Sequence, residues 1–498
     1  MFRIFGPPGT GKTTRLLNMV DRALQEGVPS KEIAFLAFTR KAAREAKERA
    51  SERFKLDPES DLPYFRTIHS LAYRMLGIRR ENLMQEEHFR ELAQYTGISL
   101  TTTKVDEDGE GVESDHPALS LINLARLKKV DLRTEYNASN LEETWAEVEY
   151  INRSYTEYKE SRGLLDYTDM LEKFAKEAMH RCPRFKLCFM DEAQDLSPMQ
   201  WDIAHALDDI SDRMYCAGDD DQAIYRWAGA DVDHFINLKG GSETLDQSYR
   251  IPADVHHLAT QISSRIKYRF PKTYKPRTER GMVSRIHDLS ELDLSEGSWL
   301  IMAQANYMLF PVASDLKMGG YLFERNGQRS ISEKVSSAIN GWEQLRKGRS
   351  VDVKVAQSIY DYMSGNGIRI ARGHKKINLE EGALVTMDDL RITHGLNTEP
   401  SLIWSDAMDK LPSLDRVYIT ALLRRGEKFN AKPRIKLSTI HGTKGGEADN
   451  VVVFTDLSFA ANEHMNDDLH RVFYVAVTRT RENLFLVEPE DATRSYHI

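Results

Sequence analysis

The sequence contains very little cysteine: Cys182, Cys188 and Cys216 are the three in 498 residues. They lie in or beside apolar runs and show no metal-ligand spacing, so we predict buried free thiols in a reducing compartment and no disulfide framework or zinc site. No hydrophobic run approaches membrane-spanning length, and the first residues lack the pattern of a signal peptide. We therefore expect a cytoplasmic, intracellular protein without a membrane partner.

The sequence also lacks an excess of positive charge, because 68 Lys and Arg stand against 76 Asp and Glu and give a net charge of -8. This balance excludes a uniformly basic protein that coats nucleic acid, so any such contact must be local. The hydrophobic fraction of 41% and the charged fraction of 29% are typical of a globular protein. The length predicts about three or four folding units.

Short apolar runs that end in polar or glycine-rich loops alternate with amphipathic stretches, a pattern typical of parallel α/β architecture. Two groups of predicted strands can be separated, at 2–5, 33–38, 186–190 and 214–217, and at 299–303, 435–439, 451–454 and 484–487. Charged helical sequence over 77–163 predicts a helical insertion in the first group. The stretch 346–430 has no clear sheet periodicity and predicts a second insertion.

The strongest local motif joins the first predicted strand to a helix and reads Gly6, Pro7, Pro8, Gly9, Thr10, Gly11, Lys12, Thr13. Its glycines allow the backbone N–H groups and the helix N-terminus to face a nucleotide β-phosphate. Lys12 supplies a charge for the β- and γ-phosphates, and Thr13 supplies a hydroxyl ligand for Mg²⁺. A chance glycine-rich turn is the alternative, and the strand-loop-helix context disfavours it.

A second motif follows the predicted strand 186–190, where carboxylates stand at the edge of the sheet at which α/β proteins bind ligands. Asp191 is the expected partner of Mg²⁺, and Glu192 is the expected group that orients or deprotonates the attacking water. Such carboxylates alone are often only a solvated turn. Together with the phosphate loop they indicate nucleotide hydrolysis, although neither motif reveals the work that hydrolysis drives.

Further motifs occur in a fixed order along the whole chain. They are residues 37–43, 67–70, 191–195, 218–222 with 225–229, 247–250, 441–447 and 474–479. In order and spacing these segments resemble the helicase motifs of the UvrD/Rep group of superfamily-one DNA helicases. Seven matched segments in sequence are far more specific than any single motif.

The resemblance implies a fold of α/β class with two RecA-like parallel-sheet motor domains, each carrying an inserted, mainly helical subdomain. We predict these boundaries: 1–77 with 164–245 for the first RecA-like ATPase domain, 78–163 for its helical insertion, 246–345 with 431–498 for the second RecA-like domain, and 346–430 for a shortened second insertion.

The resemblance also implies roles for residues at the nucleotide. The phosphate loop extends to Thr14, and Gln222 senses the γ-phosphate. Arg250 and Arg479 approach that phosphate from the second core domain as arginine fingers, which can be worth about 10³ to 10⁵ in rate. Tyr249 is implied to stack on the base and Glu447 to contact the ribose, although a core-packing tyrosine is a rival interpretation. The implied catalytic set is Lys12, Glu192, Gln222, Arg250 and Arg479.

DNA contacts are implied for Phe38, Thr39, His69, Tyr225, Trp227 and His441. Aromatic side chains suit binding without sequence preference, because every base has a π-face on which they stack. Phe38 ends an apolar strand and could instead belong to the core, whereas Trp227 is better placed for exposure. Residues 265–280 mix Lys and Arg with aromatics and could track a DNA backbone, but we favour a solvated charged loop.

The resulting hypothesis is an ATP-dependent DNA helicase that uses ATP and Mg²⁺, translocates 3′-to-5′ on single-stranded DNA and unwinds duplexes in replication, repair or recombination. Its expected partners are single-stranded DNA, single-strand/duplex junctions and replication or repair proteins, and it is expected to be a monomer. The alternative is a single-stranded DNA translocase that displaces proteins or serves a larger complex. Five residues precede Gly6, where the family has an adenine-recognition motif, so preference for ATP over other nucleoside triphosphates stays open.

Overall fold

The computed structural model describes residues 1–38, 40–104, 112–429, 431–463, 465–489 and 491–498. The chain forms two compact units, one of Met1–Arg280 with Met465–Thr478 and one of Gly281–His464 with Arg479–Ile498. Each unit is built around a largely parallel sheet with helices. The prediction of an α/β fold with two parallel-sheet domains is therefore confirmed.

The helices are α1 Lys12–Gln25, α2 Arg40–Phe54, α3 Ile68–Leu76, α4 Glu86–Thr96, α5 Pro117–Lys128, α6 Leu132–Ala138, α7 Trp145–Arg162, α8 Tyr167–Arg181, α9 Pro198–Asp209, α10 Val232–Asn237, α11 Ala253–Ser263, α12 Leu309–Met318, α13 Glu333–Arg346, α14 Val353–Asp361, α15 Met387–Ile392, α16 Trp404–Ala407, α17 Ser413–Arg424, α18 Phe459–Glu463 and α19 Asp467–Val477. The strands are β1 Phe2–Phe5, β2 Ile33–Ala37, β3 Phe65–Thr67, β4 Thr102–Lys104, β5 Val112–Ser114, β6 Phe185–Met190, β7 Ser211–Gly218, β8 Ser242–Thr244, β9 Met282–Ile286, β10 Trp299–Ala303, β11 Phe323–Arg325, β12 Gln328–Arg329, β13 Val351–Asp352, β14 Leu384–Val385, β15 Ile435–Thr439, β16 Ala448–Phe454 and β17 Thr480–Val487.

The sheet of the first unit has the order β3-β2-β6-β7-β1-β8, and its neighbouring strands are parallel. Both faces of such a sheet are covered, and its interior strand β2 is accordingly apolar, with every residue buried. The register pairs Phe5 with Gly218 and Leu36 with Met190. The loops that follow β1, β2, β6 and β7 therefore leave the sheet at one edge.

Two apolar cores cover the faces of this first sheet. On one face, Leu16 and Val20 of α1 pack with Phe35 of β2. On the other face, Phe174 of α8 and Trp201 of α9 belong to a second cluster. This double layer fixes the strands rigidly, so the loops at their carboxyl ends have a defined geometry.

The first insertion has a hydrophobic core of its own. Its cluster includes Phe89 of α4, Ile122 of α5 and Val148 and Tyr155 of α7, all buried. The helices are long relative to the short β4–β5 hairpin, so the predicted helical character of this insertion is confirmed.

The second unit contains a sheet with the order β12-β11-β15-β10-β16-β17-β9. Only the β11–β12 pair is antiparallel among the pairings described for this sheet. In this unit the insertion does not form a separate cluster: Tyr360 and Leu390 share one core with Ile301 and Leu437 of the sheet. The second insertion is thus fused to its sheet through common packing.

The compact units differ from the predicted boundaries at residues 246–280 and 465–478, which pack within the first unit although the sequence placed them with the second RecA-like domain. Cys182, Cys188 and Cys216 are buried and free, as predicted. None of the helices in the described ranges is long and apolar enough to cross a membrane.

Candidate functional site

Glycines shape the loop between β1 and α1. Gly9 and Gly11 have φ angles of 72° and 78°, in the left-handed region that side chains rarely adopt. A Cβ at Gly9 would lie only 2.4 Å from the Cβ of Arg250. Gly11 is the N-cap of α1, so the first free N–H groups of that helix face the loop. The loop therefore has the backbone of an anion-binding turn.

Lys12 folds back over this loop. Its Nζ donates a hydrogen bond to the Gly6 carbonyl at 2.9 Å and lies 3.9 Å from Oε1 of Glu192. A Cβ at Gly6 would come within 2.0 Å of the Lys12 Cγ, so the glycine makes this conformation available. The ammonium thus stands between the loop and the carboxylate that the sequence assigned to water activation.

Thr13 and Asp191 are in direct contact, since the Thr13 hydroxyl donates to Oδ2 of Asp191 at 2.7 Å. Asp191 directly follows β6, and its backbone N–H donates to the carbonyl of Leu36. Burial, together with the nearby Glu192 carboxylate, raises the pKa of Asp191 to about 6. A hydroxyl and a carboxylate side by side at a helix N-terminus are hard oxygen ligands of the kind that Mg²⁺ takes in nucleotide sites. The donor set fits this ion.

Glu192 has a left-handed backbone with φ 55°, which is uncommon for a residue other than glycine. Non-glycine residues in such conformations cluster at functional sites, where the surrounding structure enforces them. The neighbouring Gln194 holds the Glu192 side chain, because its Nε2 donates to Glu192 Oε2 at 2.6 Å.

Gln194 is a connecting residue that sequence reasoning missed. It is fully buried, and its Oε1 accepts a hydrogen bond from the backbone N–H of Asp219 at 3.0 Å. It therefore links the loop after β6 to the loop after β7. The sequence does show an amide between carboxylates at the end of a strand. It does not show that Gln194 bonds to Asp219, which lies on a distant segment.

The loop after β7 holds Gln222. Oδ2 of Asp219 accepts a hydrogen bond from Nε2 of Gln222 at 2.7 Å, and Gln222 is 5% exposed. Through Gln194 this loop belongs to the same network as Glu192. The first unit therefore brings together the predicted nucleotide-site residues Lys12, Thr13, Asp191, Glu192 and Gln222.

Residues 248–250 lie against the phosphate loop. The Ser248 hydroxyl donates to the Pro8 carbonyl at 2.8 Å, and the backbone N–H of Tyr249 donates to the Gly9 carbonyl at 2.9 Å. The Tyr249 side chain is 75% exposed, which corrects the core-packing alternative and leaves its ring open to a base. Arg250 belongs to the first compact unit, not to the second as the sequence suggested, because this segment docks on the loop.

Aromatic side chains form a surface beside this network. Phe38 is half-buried and stacks on Tyr225, with ring centroids 5.7 Å apart and planes at 21°. Tyr225 in turn lies 6.4 Å from Trp227, which is 67% exposed. Tyr225 and Trp227 are on the loop that continues directly from Gln222. A half-buried and an exposed aromatic side chain on one loop offer a surface of the kind on which single-stranded nucleic acid stacks.

His69 is partly exposed and lies near Tyr167, with ring centroids 6.2 Å apart. Burial of its ring, with a smaller contribution from Arg40, lowers the pKa of His69 to about 4. The imidazole is therefore neutral near neutral pH. Thr39, another predicted DNA contact, lies outside the described residues.

The remaining candidates lie in the second unit. Arg479 is 2% exposed, and its Nη1 donates to the Gly446 carbonyl at 3.3 Å. Glu447 forms an ion pair with Arg481. His441 begins a short turn that follows β15, whereas Glu447 and Arg479 immediately precede β16 and β17.

The basic segment 265–280 differs from the solvated loop that the sequence favoured. Arg269 binds Asp221 through two hydrogen bonds, and Lys272 is almost completely buried among Asp219, Asp220 and Asp221. These cations neutralise buried carboxylates of the same unit. The solvated-loop interpretation is wrong for both, and neither is placed to track a DNA backbone.

Comparison with known families matches the UvrD/REP helicase N-terminal domain to residues 2–241 and the UvrD-like helicase C-terminal domain to residues 435–487. The two ranges together span more than half of the chain. They contain the phosphate loop, the carboxylates after β6, the Gln222 loop and the segment from His441 to Arg479. The chain belongs to the UvrD/REP helicase family. The resemblance recognised from its motifs is thus confirmed.

Individual relatives have low sequence identity to this chain. The putative ATP-dependent DNA helicase YjcD of Bacillus subtilis (strain 168) is 26% identical over 286 residues, which are 53% of this chain and 36% of that protein. The ATP-dependent DNA helicase PcrA of Leuconostoc citreum is 26% identical over 388 residues, 72% of this chain and 50% of that protein. This family member thus spans half or less of the length of these relatives.

Among solved structures, one described as the structure of PRRSV helicase aligns with 98% of this chain and 52% of that chain. The sequence identity is 11% and the TM-score is 0.32, a superposition too loose to add to the description of the fold.

Proposed function

We propose that this chain is an ATP-dependent DNA helicase motor that translocates 3′-to-5′ along single-stranded DNA and unwinds the duplex ahead of it. Membership of the UvrD/REP helicase family supports the class of activity. The proposed substrates are ATP with Mg²⁺, single-stranded DNA and single-strand/duplex junctions. The direction is proposed from the likeness of residues 218–229 to the UvrD/Rep form of this loop.

One observation carries the proposal: a single loop bears both the candidate phosphate sensor and the candidate DNA platform. Gln222 joins the hydrogen-bond network of the hydrolytic carboxylates through Asp219, and Tyr225 and Trp227 follow on the same loop. A shift of the Gln222 amide on hydrolysis would therefore displace the aromatic rings through only a few backbone bonds. Such coupling is what a motor on single-stranded DNA requires.

The roles proposed at the nucleotide follow from position and charge. The phosphate loop and Lys12 bind the phosphates, while Thr13 and Asp191 hold Mg²⁺, which would neutralise charge on the transferring phosphoryl group. Glu192 orients or deprotonates the attacking water. Arg250 and Arg479 stabilise the negative charge that develops, and Tyr249 and Glu447 contact the base and ribose.

The deciding experiment is unwinding of matched duplexes that carry either a 3′ or a 5′ single-stranded tail, with ATP and Mg²⁺. We expect strand separation only from the 3′ tail, and no separation by the Glu192→Gln variant, which controls for a contaminating helicase. Unwinding only from the 5′ tail would overturn the direction. Stimulation of ATP hydrolysis by single-stranded DNA without any strand separation would instead identify a translocase.

A further inference from the structure

The loop after β7 concentrates negative charge in the interior of the first unit. Asp219, Asp220 and Asp221 are consecutive and are each fully buried. An unpaired buried carboxylate is unfavourable, because it loses its hydration without gaining a partner. This loop therefore depends on cations brought to it from elsewhere in the chain.

Lys272 provides that charge for all of them at once. Its Nζ lies 3.1 Å from Oδ1 of Asp219, 2.6 Å from Oδ1 of Asp220 and 2.8 Å from Oδ2 of Asp221. The Lys272 side chain is 1% exposed. Although burial alone would lower the pKa of Lys272, the aspartates raise it above its ordinary value. The lysine is therefore a charged group enclosed by the loop.

The residues that precede Lys272 are anchored to the same loop and to the first sheet. Arg269 pairs with Asp221, and the backbone N–H of Phe270 donates to Oδ2 of Asp220 at 2.7 Å. The Phe270 ring stacks on Phe5 of β1 with centroids 3.8 Å apart. Lys272 is thus held at a fixed position relative to the strand that leads into the phosphate loop.

The same aspartate that Lys272 pairs with also orients the candidate phosphate sensor. Asp219 presents Oδ1 to Lys272 and Oδ2 to Nε2 of Gln222. The ammonium therefore fixes the carboxylate from one side while the carboxylate fixes the amide from the other. Without the ammonium, Arg269 would still balance Asp221, but the remaining excess of buried negative charge would favour separation of the carboxylates.

We propose that Lys272 is a positioning residue for Gln222, which it holds in place through the carboxylate of Asp219 by neutralising the buried aspartates of this loop. The inference rests on the proposed function, in which Gln222 senses the γ-phosphate. It assigns a part in the hydrolytic step to a segment outside the seven motif segments identified in the sequence. A role in folding alone is the rival explanation.

The test compares Lys272→Met with Lys275→Met in the full chain. Lys275 lies on the same segment, but its side chain is 74% exposed and its Nζ lies 3.8 Å from Asp246. The matched control therefore deletes one positive charge at an exposed position. For each variant we would measure the thermal unfolding midpoint, kcat and KM for ATP with single-stranded DNA, and DNA affinity without nucleotide.

We expect Lys272→Met to lower kcat by about 10- to 100-fold, the size expected from a small misplacement of a reacting-site group, while KM and DNA affinity change little. Lys275→Met should match the wild type in all of them. An unchanged kcat in folded Lys272→Met would overturn the proposal. A fall in kcat accompanied by an equally large rise in KM and an equally large loss of DNA affinity would also overturn it. A wild type that does not hydrolyse ATP would overturn the proposed function itself, and this inference with it.

Recovery of kcat by charge compensation is a second measurement, and a role of Lys272 in folding alone would not produce it. Asp220→Asn removes one carboxylate, so the double variant Lys272→Met/Asp220→Asn should recover part of the lost kcat. No recovery in a folded double variant would contradict the proposal. If Lys272→Met alone does not fold, Asp220→Asn serves as the reference. The double variant is then expected to have a kcat about 10-fold below it, and equal values would refute the positioning role.

Discussion

The two parallel sheets carry their candidate nucleotide groups at opposite ends of their strands. In the first sheet, the phosphate loop, Asp191 and Asp219 follow the carboxyl ends of β1, β6 and β7. In the second sheet, Glu447 and Arg479 precede the amino ends of β16 and β17. The rule that α/β proteins bind ligands at the carboxyl ends of their strands therefore finds the first group and not the second.

The chemistry at the two ends also differs. The first sheet ends in buried carboxylates that need cations, whereas the second presents a nearly buried guanidinium whose Nη1 donates to a backbone carbonyl. Residues 440–447 connect the carboxyl end of β15 to the amino end of β16, so His441 and Glu447 stand at opposite edges of the second sheet. The first sheet is thus proposed to supply the hydrolytic groups, and the second is proposed to supply a single stabilising charge.

The largest expected effect tests the second sheet. Arg479→Ala should lower kcat for ATP hydrolysis by about 10³ to 10⁵, because a guanidinium that meets the developing phosphoryl charge is worth that much. Nucleotide binding, measured by fluorescence of a labelled ATP analogue, should persist. Arg285→Ala is the matched control, since Arg285 is exposed and pairs with Glu488 in the same unit. An unchanged rate of ATP hydrolysis in Arg479→Ala would show that Arg479 does not take part in hydrolysis.

The next effect tests the first sheet. Glu192→Gln should lower kcat by about 10² to 10⁴ while ATP still binds, because the amide cannot accept the proton of the attacking water. Glu243→Gln removes an exposed carboxylate that pairs with Arg15 at 3.1 Å, and steady-state hydrolysis by this control should match the wild type. If Glu192→Gln turned over at the wild-type rate, the carboxyl edge of the first sheet would not hold the water-activating group.

A smaller effect is expected at the aromatic surface. Trp227→Ala should weaken single-stranded DNA binding by about 1 to 3 kcal/mol, the worth of one base stack, as measured by fluorescence anisotropy. Hydrolysis without DNA should be retained, because the indole is 67% exposed and is proposed to contact DNA and not the nucleotide. Tyr95→Ala removes a 76% exposed aromatic from α4 and should not change DNA affinity. Equal loss of basal and DNA-stimulated hydrolysis in Trp227→Ala would indicate a folding role.

The smallest effect concerns pH. An imidazolium beside phosphates would strengthen DNA binding as the pH falls through about 6.5, the ordinary histidine pKa. Because the pKa of His69 is lowered to about 4, its ring is neutral well below neutral pH. The affinity ratio between wild type and His69→Gln should therefore stay constant from about pH 6 to 8 in anisotropy titrations. A ratio that grows as the pH falls would show that the folded protein protonates this histidine.

Local sequence patterns predicted the parts of the site that depend on chain neighbours. The phosphate loop and Asp191 follow from a strand, a turn and the direction of a parallel sheet. Glu447 and Arg479 entered only through the likeness of whole motifs, because nothing in their local pattern marks the amino end of a strand. The family motifs therefore indicate candidate residues that the rule on the carboxyl ends of strands does not indicate.

The contacts that connect the residues of the candidate site could not be predicted from the sequence. Gln194 meets the N–H of Asp219, Ser248 meets Pro8, and Lys272 meets the aspartates, each across a long separation in the chain. A basic run such as 265–280 is usually solvated, and only the fold shows that its cations are enclosed by carboxylates. Pairings of this kind are decided by packing, which a single sequence does not encode locally.

The two insertions also differ in a way that bears on local unfolding. The cluster around Phe89, Ile122 and Tyr155 is separate from the cores that cover the first sheet, whereas Tyr360 packs into the core of the second sheet. Regions with their own core open as separate cooperative units, so the amide hydrogens of α4, α5 and α7 should exchange together and apart from those of β6 and β7. The amide hydrogens of α14, in the second insertion, should instead exchange with those of the strands of the second sheet.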